Sequence, residues 1–134
     1  MNNYKTHTSI LDQAGFMSKL NDLGMLFKFR LTMLVVFSSV MSYFIAASSV
    51  SLFEILMLIL GGSLITFAAN TLNQVLEKDY DILMNRTANR PLPQGRMYVS
   101  AAVLLSGFLS LIGITVLCLI NVWAGLLGTA SLIL

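Results

Sequence analysis

The chain is predicted to be an all-α polytopic membrane protein, and three observations carry that prediction. It is 57% hydrophobic and only 10% charged over 134 residues, with a mean hydropathy of +0.83. Soluble domains carry about 25% charged residues, so most of this surface must face lipid or other apolar helices. Second, residues 31–53, 55–76 and 97–134 contain no Asp, Glu, Lys or Arg. Third, the basic residues collect in two places, before the first of these runs and between the second and third.

A spanning helix needs about 20 apolar residues. The first two runs therefore predict one helix each, over 31–50 and 53–75. The third run is too long for one span and divides near Asn121, which predicts a helix over 98–119 and another beginning at Val122. Residues 122–134 would rise only roughly 20 Å at the helical repeat, against a hydrocarbon core of about 30 Å. The expectation is that this is the front part of a longer protein.

Residues 1–30 form a tail before the first span. Residues 1–8 are polar and expected to be mobile. Phe16, Leu20, Leu23 and Phe27 then recur at helical spacing, with Lys19 and Asp22 elsewhere on the wheel, which predicts a short helix in the membrane interface. It leads into Lys28-Phe29-Arg30. Spans 1 and 2 occupy 31–76, a charged loop occupies 77–97, and span 3 with the start of span 4 occupies 98–134. Lys5, Lys19, Lys28 and Arg30 precede the first span, while Lys78, Arg86, Arg90 and Arg96 follow the second. The intervening turn has no Lys or Arg, so the positive-inside rule places the N-terminus and the 77–96 loop in the cytoplasm, two crossings apart. The expected location is the cell (inner) membrane, with the first span as an uncleaved signal anchor.

The net charge of +2 is too small to argue for nucleic acid. Cys118, the single cysteine, lies in an apolar span and excludes an intrachain disulfide. Ser38, Ser39, Ala46, Ala47, Gly61, Gly62, Ala68, Ala69, Gly107, Gly113, Gly125 and Gly128 are read as helix-packing positions, because small residues let membrane helices approach closely.

The chemistry concentrates where the second span ends. If that helix continues past Leu76, then with Asn70 at zero, Asn73 falls near about −60°, Glu77 near about −20° and Asp81 near about +20°. Gln74 borders the same sector, while Asp79 falls on the opposite side. Polar groups at this depth are costly unless they line a cavity or are paired. Carboxylates and amides are oxygen ligands of the kind that hold Mg²⁺ together with substrate phosphates. Arginine forks match phosphate oxygens bidentately, which makes Arg86, Arg90 and Arg96 candidate ligands for a diphosphate, joined by Lys28 and Arg30 from the same membrane side. On the plainer reading these residues only end a helix at the interface and set topology. His7, in the polar tail, is read as a bystander.

The string Asn73-Gln74-x-x-Glu77-x-x-x-Asp81 resembles the N-D-x-x-D-x-x-x-D motif of the UbiA-type intramembrane prenyltransferases, with Gln74 and Glu77 where many members have Asp. Its continuation, Met84-x-Arg86-Thr87-x-Asn89-Arg90-Pro91-Leu92-Pro93-x-Gly95-Arg96, is similar to the protoheme IX farnesyltransferase branch of that family. Lys28-Phe29-Arg30 resembles the K-P-R that opens the first helix there, with Phe29 in place of proline. The resemblance covers the chain from about Leu26 onward.

It implies a nine-helix bundle of which this chain supplies about the first four, with a second Asp-rich motif in the remainder. It also implies a transferase using farnesyl diphosphate and protoheme IX to make heme O. In that reading Mg²⁺ is held by Asn73, Glu77 and Asp81, which are also the expected catalytic residues, and Arg86, Arg90, Arg96, Lys28 and Arg30 bind the diphosphate. The fragment alone is expected to be inactive. Further partners implied are other heme-biosynthesis or oxidase-assembly proteins and the lipid bilayer, with no nucleic acid. Two alternatives stand beside it: a sister prenyltransferase with an aromatic acceptor, and a non-enzymatic membrane subunit in which the polar stripe joins helices.

Overall fold

A computed structural model describes the backbone of residues 3–134 and the side chains of residues 15–134. Expectations for the polar start of the chain, and for His7, lie outside the described side chains. The described residues form five helices and no strand: α1 (Asn3–Phe27), α2 (Phe29–Ala46), α3 (Leu52–Asp81), α4 (Val99–Ile120) and α5 (Val122–Ile133). Helices α2, α3 and α4 are each long and apolar enough to cross a membrane. The protein is an integral membrane protein built on helices.

α3 is the hub and touches each of the other four helices. Its 30 residues span about 45 Å at 1.5 Å per residue. A bilayer core takes up about 30 Å of that, so nearly three turns project beyond it. Those turns carry Glu77 and Asp81, and the helix runs unbroken to Asp81 as the wheel requires.

α3 and α4 pack through small residues. A Cβ placed on Gly61 would lie 2.8 Å from Leu117 Cδ2, and one on Gly113 would lie 2.8 Å from Ile65 Cγ1. A side chain at either position would press on the facing helix, so glycine permits the close approach. α5 folds back on α4 and α3 after a break of one residue at Asn121, as expected. Asn121 is extended, and its side chain accepts a hydrogen bond from the Trp123 amide at 3.0 Å, an N-cap that starts α5.

α2 ends at Ala46, short of the predicted residue 50. The segment 47–50 has the hydropathy of a span, but it forms the turn into α3. Tyr43 closes that turn: its hydroxyl donates to Glu54 Oε2 at 2.6 Å and accepts from the Ser51 amide at 3.1 Å.

α1 is longer than the predicted interfacial helix and differs in which face it buries. Phe16, Met17 and Leu20 are exposed, while Leu26 and Asp22 are buried. Leu26 joins Leu92 and Ala102 in a core packed by Leu23, Phe27 and Val75. Asp22 was expected on the polar side of the wheel. It is buried because Arg96, 74 residues later, forms an ion pair with it.

The segment between α3 and α4 is a chain of tight turns. The Thr87 hydroxyl donates to the Asp81 carbonyl at 3.0 Å and closes the end of α3. Pro91 and Leu92 are buried. Gly95 adopts φ +67, a conformation glycine enters without steric cost, and the turn delivers Arg96 to α1.

Candidate functional site

The site is assembled where three chain segments meet at one end of the bundle: the α1–α2 junction, the projecting end of α3, and the turns that follow it. The last carbonyls of any helix lack intrahelical partners. At the end of α1 these partners come from other helices. Gln74 Nε2 donates to the Met25 and Leu26 carbonyls at 3.1 and 2.7 Å. Asn70 Nδ2 donates to the Phe27 carbonyl at 3.0 Å, and the Thr32 hydroxyl to the same carbonyl at 3.1 Å. Phe27 also stacks on Phe67 of α3, with ring centroids 4.6 Å apart.

Two of the polar residues read from the α3 wheel are thus committed to α1. Asn73 and Glu77 remain exposed, and Asp81 is 4% exposed. The Asp81 carboxylate is neutralised by Arg90, whose Nη1 lies 2.6 Å from Asp81 Oδ2 and 3.6 Å from Glu77 Oε2. The two carboxylates therefore converge on a single cationic nitrogen. Asp79 is 83% exposed at its side chain and 3.8 Å from Lys78, away from this pair, as the wheel places it.

Arg90 has a second surface. With Lys28, Arg30 and Arg86 it lines a cleft of about 770 Å³ that is completed by Gly24, Phe29, Leu31 and Leu34. The lining thus combines four cations with apolar side chains of α2. Lys28 is held at φ 48, ψ 55 between the two helices, a left-handed conformation that side chains with a Cβ rarely adopt. A proline at position 29 would bias Lys28 toward extended backbone; Phe29 leaves this conformation open.

Four of the five predicted diphosphate ligands are brought together. Arg96 is not among them: it pairs with Asp22 and donates to the Asn89 carbonyl at 2.6 Å. Among the described residues no three His, Cys, Asp or Glu side chains cluster; the oxygen donors of Glu77, Asp81 and Asn73 are what these residues offer a metal. Sequence reading missed Thr32, Thr87 and Asp22. Thr87 was legible, since a threonine near a helix end often supplies a hydroxyl to free backbone groups. Thr32 and Asp22 gave no local signal.

The UbiA prenyltransferase family matches residues 34–134. This chain belongs to that family. Among curated UbiA-type relatives, a protoheme IX farnesyltransferase of Christiangramia forsetii is 40% identical over 87% of this chain and 39% of its own length. One from Flavobacterium psychrophilum is also 40% identical, over 87% of this chain and 40% of its own. A mitochondrial protoheme IX farnesyltransferase of Debaryomyces hansenii is 37% identical over 78% of this chain and 23% of its own. The chain thus spans about two fifths of the length of the bacterial relatives. No solved structure matches.

Proposed function

We propose that this chain is the diphosphate-binding part of a membrane prenyltransferase that moves a farnesyl group from farnesyl diphosphate to a vinyl group of protoheme IX, with water added to the vinyl group and diphosphate released, giving heme O. The observation that carries the reading is the double placement of Arg90, which binds the Glu77–Asp81 carboxylates on one side and lines the basic cleft on the other. The acceptor is taken from the printed names of the relatives.

Lys28, Arg30 and Arg86 would grip the phosphate oxygens, and Phe29, Leu31 and Leu34 would meet the first isoprene units as the chain passes into the bilayer. That pairing of a charged end with an apolar wall matches an amphiphilic diphosphate. Glu77 and Asp81, with Asn73 beside them, fit Mg²⁺ in donor type: hard oxygens, two of them on carboxylates already drawn around one positive charge. When bound, the ion would neutralise the diphosphate as it departs. The protein's own part is to hold the leaving group in line, to let Arg90 share its charge between carboxylates and phosphate, and to keep water from the reacting carbon. The positive-inside pattern puts this end of the bundle in the cytoplasm.

The test uses the full-length protein in membranes supplied with heme B, farnesyl diphosphate and Mg²⁺, with heme O read by mass spectrometry. Product that disappears with a chelator is expected. Binding of farnesyl diphosphate without heme O would transfer the reading to an aromatic acceptor, and absence of both would overturn it.

A further inference from the structure

We propose that Gln74, together with Asn70, is a positioning residue that sets Lys28 and Arg30 in the cleft by capping the end of α1, and that Gln74 works as a hydrogen-bond donor and not as a metal ligand. The inference rests on the diphosphate reading for its functional consequence, and on hydrogen bonds for its structural part.

Gln74 stands one residue after Asn73 and three before Glu77, so sequence position alone groups it with the oxygen ligands. Its side chain goes elsewhere. It is fully buried, and its single amide nitrogen serves two carbonyls from a segment 48 and 49 residues earlier. Gln74 Oε1 is buried with no hydrogen-bond partner among the described residues, so only the donor half of the amide is in use. A flipped amide would set its oxygen against two carbonyl oxygens, and a carboxylate would do the same with no donor at all.

What the cap holds is the turn at Lys28. The two helices meet with one residue between them, and that residue is left-handed without being glycine or asparagine. Such a conformation persists only when its surroundings over-determine it. Here the carbonyls before it are fixed by Gln74, Asn70 and Thr32, while the Lys28 carbonyl accepts from the Leu31 and Thr32 amides at 2.8 and 3.1 Å to start α2. The direction in which Lys28 and Arg30 leave the backbone follows from that turn. The α3 helix therefore acts on the cleft twice, through Glu77 and Asp81 on Arg90, and through Asn70 and Gln74 on the basic residues of the opposite wall.

The experiment uses the full-length protein in lipid nanodiscs, comparing wild type with Gln74→Met, which keeps length and removes the donor, and Gln74→Glu, which keeps shape and leaves at most one O–H for two carbonyls. Three quantities are read: trypsin cleavage after Lys28 and Arg30 relative to Lys78, the dissociation constant for farnesyl diphosphate, and the Mg²⁺ midpoint for that binding. Loss of the donor from two buried carbonyls is expected to speed cleavage after Lys28 and Arg30 by about tenfold while Lys78 is unchanged, and to weaken diphosphate binding by about tenfold. The Mg²⁺ midpoint is expected to stay within about twofold in both variants. A Gln74→Glu variant that binds Mg²⁺ more tightly, with unaltered cleavage, overturns the proposal in favour of a metal-facing side chain. Cleavage raised equally at all three sites overturns it in favour of general loosening. If wild type does not bind farnesyl diphosphate while the selective cleavage persists, the cap stands and the diphosphate reading falls.

Discussion

The two halves of α3 differ in what dominates their contacts with neighbouring helices. The half nearer Leu52 packs by shape: Gly61 and Ile65 are buried where α4 brings Gly113 and Leu117 against them. The half nearer Asp81 packs by hydrogen bonds and charge, with Asn70 and Gln74 on α1 and Asp81 on Arg90. Between lipid-exposed helices there is little hydrophobic drive, so close van der Waals fit does the work. Near the interface, polar groups can be both satisfied and selective. The first half fixes how far apart the helices sit; the second fixes where particular charges point.

Four substitutions, one of them a control, separate these modes. The largest effect is expected from Arg90→Ala, which strands a nearly buried Asp81 carboxylate. Breaking such a pair costs about 3–5 kcal/mol, read as a lowered thermal midpoint of the full-length protein in detergent, together with loss of prenyl transfer. An unchanged midpoint would mean that the polar half holds no structure. Next, Gly113→Ala places a methyl 2.8 Å from Ile65 Cγ1 and 3.1 Å from the Ile65 backbone nitrogen. Overpacking of that kind costs about 1–3 kcal/mol, whereas Gly107→Ala, with open space around it, should shift the midpoint little. If the two alanines behave alike, the close approach of α3 and α4 is refuted. The smallest effect belongs to Asp79→Asn, on the solvent side of the polar half, which should change stability by no more than about 0.5 kcal/mol and leave transfer intact. A large loss there would mean that the carboxylates do not divide between Asp81 and Asp79 as the helix divides them.

Much of this arrangement was legible in the sequence because it depends on short-range geometry. Charge-free runs fixed the three spans, Asn121 marked the break before α5, and the wheel separated Asp79 from Glu77 and Asp81. The family pattern at 73–96 singled out the segment in which Arg90 meets Glu77 and Asp81. What escaped was whatever depends on distant partners. Nothing near Gln74 says that its amide meets carbonyls 48 and 49 residues earlier, and an Asp22 that reads as a solvated helix residue is buried because Arg96 reaches it. Arg96 looked like one more phosphate ligand for the same reason: a basic residue in a basic loop gives no hint of a carboxylate on another helix. The four residues between the end of α2 and its predicted limit show a further limit, since hydropathy cannot distinguish the last turn of a span from an apolar bend.

The Asp22–Arg96 pair also has a consequence in time. Its partners lie 74 residues apart, and at a synthesis rate of about 5–20 residues per second that gap lasts roughly 4–15 s. Through this interval α1 has been made but has neither its ion pair nor, until α3 emerges, the amides that cap it. The first helix is therefore locked only after α3 and the turns that follow it have been made, and the basic cleft is completed only once that loop has left the ribosome.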